Sequence, residues 1–157
     1  MKNKYINIYN NLIKLTRNKI LYEKLEKQDT FSERLTILFF HFGFFLKYYK
    51  SDFSRQSQQE LFDFVIHQIE LSIREIGYGD VTVNKKMKQY VNLFYSILGK
   101  IEVWDRSNYQ SKMTIISNYL DALKNIDFYA NYFEKYRIFL SKNTLNTFTK
   151  DIINFKF

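Results

Sequence analysis

The chain reads Leu71-Ser-Ile-Arg74-Glu75-Ile-Gly77-Tyr-Gly79-Asp80-Val-Thr-Val83-Asn-Lys85-Lys86-Met87-Lys88 where one helical apolar pattern ends and another begins. We call residues 71–88 the glycine corner. Gly77 occupies the position of a helix C′ glycine, which takes a positive φ. Gly79 allows a second tight turn, and Asp80 is expected to bond the free amides of the turn or of the next helix start.

These residues predict a rigid helix–turn–helix corner with two groups of charged side chains. We expect Arg74, Glu75 and Asp80 on one side, and Lys85, Lys86 and Lys88 on the other. Capping glycines are common in helical proteins. A well-made helix hairpin without a binding role therefore remains an equally good interpretation of these residues alone.

The composition favours an all-α fold, as a single-domain bundle of about six to seven helices. The chain has 157 residues, 46% of them hydrophobic, no proline and only four glycines. This length suits one domain with a sizeable core, and the scarcity of proline and glycine favours long helices. The hydrophobic periodicity places helices at about residues 4–25 with a break near Asn18, 30–50, 57–76, 84–103, 109–124, 127–141 and 144–153.

Two of these helices carry further expectations. The helix at 30–50 is apolar nearly all round and should be central, and Gly43 within it indicates close approach of a neighbouring helix. The inner stripe of the helix at 84–103 is predicted as Met87, Val91, Phe94, Tyr95 and Leu98.

The start of the central helix has a clear capping pattern. Thr30 as N-cap with Glu33 three residues later forms a capping box, and Asp29 adds negative charge at the positive helix end. Arg34 follows in the first turn. His41 lies in an apolar run and is more often a satisfied core histidine than a ligand, whereas His67 should be exposed and paired with Asp63 or Glu70.

The motif inventory argues against an enzyme. The absence of cysteine excludes a disulfide scaffold, cysteine zinc sites and thiol catalysis. A His-Glu-x-x-His motif, a glycine-rich phosphate loop and a nucleophile elbow are also absent from the sequence. We therefore expect a non-enzymatic protein without a metal or cofactor.

The formal charge of +8 points to an anionic partner: ribosomal RNA, anionic lipid or an acidic protein. A basic surface that keeps an aromatic-rich domain in solution is the alternative. The first helix is basic and amphipathic, so it either lies on a membrane or, as we favour, packs on the domain. Residues 1–11 have no long apolar h-region, and the apolar run Leu35–Leu46 is too short to span a bilayer.

The glycine corner resembles the signature of the ubiquinol–cytochrome c chaperone family, through Ile73-Arg-Glu-x-Gly-x-Gly-Asp80 and the basic helix with Met87. Four other segments support the resemblance in order: Asp29-Thr30 with Arg34 and His41, Leu61-Phe-Asp63, Phe94-Tyr95, and Leu120-x-Ala-Leu-x-Asn125. It covers residues 17–125, and 126–157 would add C-terminal helices to one domain of residues 1–157. Ser96-Ile97 replaces a Gly-Arg pair, and Lys19 replaces a frequent proline.

The resemblance implies an assembly chaperone for the respiratory cytochrome bc1 complex that binds newly made cytochrome b. The ribosome, an anionic membrane surface and a small partner protein are further implied or possible partners. A bacterial homologue at the cytoplasmic face of the inner membrane fits the Lys-, Asn-, Ile- and Phe-rich composition. The alternative is a ribosome- or RNA-binding module, or a peripheral membrane module, without a bc1 client.

The resemblance also divides the motif residues into two roles. Client or partner contacts are expected from Arg74, Glu75, Asp80, Lys85, Lys86 and Lys88. An internal structural role is expected from Asp29, Thr30, Arg34, His41, Gly77 and Gly79.

Overall fold

The computed structural model describes residues 2–25 and 30–157, and eight α-helices lie within them. Their bounds are α1 Lys2–Thr16, α2 Ile20–Glu23, α3 Phe31–Tyr49, α4 Arg55–Ile76, α5 Asp80–Glu102, α6 Tyr109–Tyr119, α7 Ile126–Lys142 and α8 Leu145–Asp151. Short 3-10 turns follow at Lys50–Asp52, Trp104–Arg106, Leu123–Asn125 and Ile152–Asn154. The all-α prediction is confirmed.

Helix α3 is the centre of the fold, as its uniformly apolar sequence predicts. Every residue from Leu35 to Phe45 is buried, and the helix packs against α1, α5 and α7. The closest approach is at Gly43: a Cβ built there would lie 2.5 Å from Cδ1 of Ile101 on α5. The expectation that Gly43 admits a neighbouring helix is therefore confirmed.

The predicted first helix is split in two, at the break expected near Asn18. Helix α1 ends at Thr16, where the chain turns. The Thr16 carbonyl accepts a hydrogen bond of 2.5 Å from the Tyr22 hydroxyl. Helix α2 is then held to α7, since the Tyr129 hydroxyl donates to the Leu21 carbonyl. The described residues therefore form eight helices, one more than the seven that the periodicity predicts.

The apolar stripe of α1 faces the core. Tyr5, Ile8, Leu12 and Leu15 are all buried, in contact with α3, α4 and α8. The expectation that this helix packs on the domain is therefore confirmed. Within residues 2–25 and 30–157, no helix is both long enough and apolar enough to cross a bilayer.

Helix α6 is shorter than predicted and ends at Tyr119 instead of about residue 124. The chain becomes extended at Leu120, and a 3-10 turn then closes with a 2.7 Å hydrogen bond from the Asn125 amide to the Ala122 carbonyl. Leu120 and Ala122 are both buried. Their anchoring in the core redirects the chain into α7, which packs against α6.

Candidate functional site

The glycine corner joins α4 to α5, the two longest helices of the described chain. Gly77 ends α4 in the left-handed region with φ of 107°, and its amide donates to the Arg74 carbonyl at 3.0 Å. The prediction for Gly77 is confirmed. Gly79 has φ of −75° and ψ of 166°, an extended conformation open to any residue. The conformational freedom of glycine is therefore used at Gly77 and not at Gly79.

Helix α5 begins at Asp80, four residues before the predicted start. Asp80 does not cap the helix, which corrects the role predicted for it. Its carboxylate instead accepts a 2.5 Å hydrogen bond from Nη1 of Arg74, six residues earlier on α4. This bond with Asp80 raises the pKa of Arg74. The pair ties the two helices together across the turn, and both side chains are exposed to solvent.

The remaining charges of the corner are accessible. Glu75 is exposed and forms no ion pair with another residue that the structure describes, whereas Glu70 lies 3.9 Å from Arg74. Lys85 and Lys88 are exposed on α5. Lys86 places its Nζ 4.8 Å from the centroid of the Tyr78 ring, so its stem is half-buried against that ring.

The structure adds three apolar residues that sequence reasoning did not assign to this site. Ile76 is 55% exposed, Tyr78 is 42% exposed and Val81 is 84% exposed, and all three lie at the turn. The apolar spacing along α4 predicts Ile76 on its inner stripe, but the structure leaves this side chain exposed. Their position in the sequence could have indicated this exposure. The three residues lie at or next to the turn between α4 and α5, where no other helix in the described part of the chain covers them.

A cleft lies between α3, α4 and α5, further along the same hairpin. It encloses about 380 Å³, and its floor includes Phe62 and Tyr95, whose rings stack with centroids 5.7 Å apart. Lys50 and Arg55 lie at its rim, and neither forms an ion pair with a residue that the structure describes. The cleft therefore combines an aromatic surface with free positive charge.

Tyr95 corrects the stripe predicted for this helix. Its side chain is 55% exposed, and the residues of α5 that are buried are Val83, Met87, Phe94, Ile97 and Ile101. The buried face is thus rotated away from Tyr95 by the close contact of Ile101 with Gly43. Only the packing of α5 on α3 determines which aromatic neighbour, Phe94 or Tyr95, turns inward.

The residues expected to form the internal framework are placed as follows. Thr30 caps α3, since its hydroxyl accepts a 3.2 Å hydrogen bond from the Glu33 amide, as predicted. Arg34 is exposed in the first turn of α3. Asp29, also assigned to this group, lies outside the described residues.

His41 is a satisfied core histidine, as predicted. Nδ1 donates to the Ile37 carbonyl at 2.8 Å, and Nε2 accepts from the Tyr132 hydroxyl at 2.7 Å. Burial lowers the pKa of His41 to about 4, so the ring is neutral near pH 7. The other histidine, His67, is exposed, with Nδ1 3.7 Å from Glu70.

A network of charged side chains joins α3, α6 and α7, and sequence reasoning did not find it. Arg137 on α7 donates to Glu134 at 2.5 Å and lies 3.6 Å from Asp105. Lys112 on α6 donates to Glu134 at 2.8 Å, and Lys47 on α3 lies 3.2 Å from Asp105. These residues are far apart in sequence and mostly shielded, so their role is to position helices.

The carboxylate of Glu134 is held in its charged form. Burial raises its pKa, but hydrogen bonds from Arg137 and Lys112 outweigh this effect and keep the pKa below the usual value. Among residues 2–25 and 30–157, no group of three or more histidine and acidic side chains is arranged to hold a metal ion.

Comparison with known proteins agrees with this picture. A family model for the ubiquinol–cytochrome C chaperone matches residues 23–114, which include the whole glycine corner and the cleft. The crystal structure of the Cbp3 homolog from Brucella abortus is similar in fold, with a TM-score of 0.74 at 21% sequence identity. That match covers 96% of this chain and 87% of the Brucella chain. The comparison with curated proteins found no match. Because the family match spans more than half of its residues, the chain belongs to the ubiquinol–cytochrome c chaperone family.

Proposed function

We propose that this protein is a non-enzymatic assembly chaperone for the cytochrome bc1 complex, with newly made cytochrome b as its client. The observation that carries the proposal is the family match over residues 23–114, in which the signature residues form an ordered and accessible corner. Membership in a chaperone family favours binding over catalysis. The cytoplasmic face of a bacterial inner membrane is the site of action that we propose.

The α4–α5 hairpin supplies two kinds of contact for such a client. The aromatic floor of the cleft, Phe62 and Tyr95, can cover apolar side chains that a membrane subunit exposes before its partners arrive. Lys50 and Arg55 at the rim can bind acidic groups in the connecting loops. Contacts of this mixed type are reversible, which a chaperone requires.

The glycine corner supplies the second set of partner contacts. Arg74 and Asp80 fix the turn through their ion pair, and each keeps further hydrogen-bonding capacity toward solvent. The charges available to a client, a small partner protein or a membrane are the exposed Glu75, Lys85 and Lys88 and the half-buried Lys86. We assign these six residues to partner binding.

The decisive experiment is purification of the tagged protein from membranes of its host and identification of the proteins that accompany it. We expect cytochrome b that lacks its partner subunits, and we expect the variant Tyr95→Ala to recover much less of it. Tyr109→Ala is the matched control, because Tyr109 is 47% exposed but lies on α6, away from the cleft. Absence of cytochrome b, together with normal bc1 levels in a deletion strain, would rule the proposal out.

A ribosome- or RNA-binding role is the second candidate, favoured by the net charge of +8 and by the exposed Tyr95 ring. Salt distinguishes the two functions. Binding to phosphate weakens steeply as salt rises, because counterion release drives it. Binding of an apolar client to Phe62 and Tyr95 should persist in high salt. Recovery of ribosomes alone, lost at high salt, would favour this second function.

A further inference from the structure

The turn of the glycine corner projects away from the body of the bundle. A Cβ built on Gly77 or Gly79 would have no atom of a residue outside the immediate turn within 4 Å. The residues at this end are nevertheless apolar: Ile76, Tyr78 and Val81 are largely exposed. We call residues 76–81 the tip. Apolar side chains exposed at a turn that no other described residue approaches are suited to a broad surface.

Positive charge lies at a fixed distance behind the tip. Lys85, Lys86 and Lys88 follow the start of α5 by five to eight residues. At a rise of 1.5 Å per residue, this places them about 8–12 Å along the helix axis. Interfacial elements bury their apolar residues about 5–10 Å into the boundary between lipid headgroups and acyl chains. The lysines would therefore reach the headgroup phosphates when the tip enters this boundary.

The contact between Lys86 and Tyr78 also fits a membrane interface. The ammonium lies 4.8 Å from the ring centroid, so an amphipathic ring and a long cationic side chain share one site. Tyrosine is enriched at membrane interfaces, and lysine keeps its stem in the apolar layer while its charge stays at the surface. RNA would use the lysines but gains nothing from an exposed Ile76 or Val81.

The acidic groups at this end set the balance of charge. Asp80 is offset by its ion pair with Arg74, and Glu70 lies close to both Arg74 and His67. Glu75 is exposed and has no ion-pair partner among the described residues, so it opposes an anionic surface. Because Arg74 can offset only one of Asp80 and Glu70, the approach of the corner to anionic lipid gains from three lysines and loses from two carboxylates.

We propose that the glycine corner docks on an anionic lipid surface, with Ile76, Tyr78 and Val81 in the interface and Lys85, Lys86 and Lys88 at the phosphates. This proposal rests on the proposed function for the presence of a membrane client. It deepens that function by naming lipid as the partner of the corner lysines. The cleft is then left free for the client along the same hairpin.

Flotation of the purified full chain tests the proposal, with vesicles of phosphatidylcholine alone or of phosphatidylcholine with phosphatidylglycerol. We expect flotation with the anionic vesicles, weakening as salt rises. The double variant Lys85→Gln/Lys88→Gln should partition about 30-fold more weakly, since each lysine near an anionic surface is worth about 1 kcal/mol. Ile76→Ser/Val81→Ser should partition at least about tenfold more weakly, and Glu75→Gln about fivefold more strongly.

The controls use exposed residues on α7 and at the C-terminal end of the chain, away from the glycine corner. Ile138→Ser/Ile153→Ser removes two exposed apolar side chains, and Lys135→Gln/Lys142→Gln removes two exposed charges. Both should float like the unaltered protein. Circular dichroism of every variant checks that the helical fold is retained.

Two outcomes would overturn the lipid proposal: no flotation of the unaltered protein with anionic vesicles, or equal flotation of the corner variants and the controls. Loss of polyuridine binding with unchanged flotation in Lys85→Gln/Lys88→Gln would assign these lysines to RNA instead.

Recovery of cytochrome b from detergent extracts is measured with the same variants. Unchanged recovery alongside failed flotation refutes lipid docking alone, whereas failed recovery from the unaltered protein refutes the proposed function.

Discussion

The Tyr132 hydroxyl on α7 donates a 2.7 Å hydrogen bond to Nε2 of His41 at the centre of α3. The other ring nitrogen donates to the Ile37 carbonyl, and the Tyr136 hydroxyl donates to the His41 carbonyl at 2.9 Å. Both ring nitrogens are thus satisfied with the imidazole neutral, and the helix pair is joined by polar contacts inside an apolar core.

This arrangement makes stability depend on pH. Burial lowers the folded pKa of His41 from 6.5 to about 4, so the unfolded chain binds a proton that the folded chain excludes. Stability is therefore lost as the pH falls from about 6.5 toward 4. Between pH 7 and pH 5 we expect a loss of about 2 kcal/mol from this group, measured by urea unfolding at both values. His41→Gln should flatten the curve in this window, whereas the exposed His67→Gln should not. A curve that stays steep in His41→Gln would contradict the assignment.

The contact between Gly43 and Ile101 can be tested by a double-mutant cycle. Alanine at position 43 favours the helix by about 1 kcal/mol, but its Cβ would lie 2.5 Å from Cδ1 of the buried Ile101. Overpacking of this kind costs about 1–3 kcal/mol, so Gly43→Ala should destabilise the protein by about 1 kcal/mol. In the Ile101→Val background, which removes Cδ1, the same change should become stabilising. An equal effect in both backgrounds would show that Ile101 is not the obstacle.

The two glycines of the corner should respond differently to alanine. Gly77 has φ of 107°, where a side chain costs about 1–2 kcal/mol. Gly79 has φ of −75° and open space around it, but it is the N-cap of α5, where alanine is less favourable than glycine, so the gain in chain entropy and the capping loss should roughly cancel. Chemical denaturation of Gly77→Ala and Gly79→Ala measures the contrast. Similar losses in both variants would contradict the geometry of the turn.

The ion pair between Arg74 and Asp80 should govern the local order of the corner. Because both side chains are exposed, Arg74→Ala and Asp80→Ala should hardly change the melting temperature. Hydrogen exchange should instead quicken at the amides of Gly77 and Val83, which bond to the Arg74 and Gly79 carbonyls. Exchange at these two amides as slow as in the unaltered protein would mean that the pair does not fix the turn.

The shielded charges around Glu134 should contribute to global stability. Removal of the carboxylate in Glu134→Gln leaves Arg137 and Lys112 without their shared partner, with an expected loss of about 1.5–3 kcal/mol at pH 7. The pKa of Glu134 is held below 4.5, so its contribution is present above that pH and is lost as the pH falls through the lower folded value. The exposed Glu102→Gln is the control. Equal stability of the two variants at pH 7 would contradict a structural role for the network.

Local sequence was sufficient wherever a residue acts through its own backbone or its own helix. Gly77 as a left-handed cap, Thr30 as an N-cap and the buried run of α3 were all predicted, because capping and uniform apolarity need no knowledge of neighbours. The break near Asn18 was likewise visible in the pattern. The specific motif of the glycine corner also identified the family before the fold was known.

Other features depend on which surfaces meet. Asp80 could be assigned to a cap or an ion pair from its sequence position, and only the approach of α4 to α5 selects Arg74 as its partner. Similarly, Phe94 and Tyr95 are adjacent aromatic residues, and the packing of α5 on α3 buries Phe94 and leaves Tyr95 outside. The network around Glu134 joins three helices at sequence separations that carry no periodic signal.

The sequence by itself determined the helical class, the central helix and the family of this protein, because these follow from periodicity, composition and a local motif. The tertiary structure alone decided that the corner exposes Ile76, Tyr78 and Val81 and that a cleft opens beside Tyr95. The physical reason is that exposure is a property of the whole packed surface. An apolar residue is buried only if another element of the chain reaches it, and no described element reaches the tip of the α4–α5 hairpin.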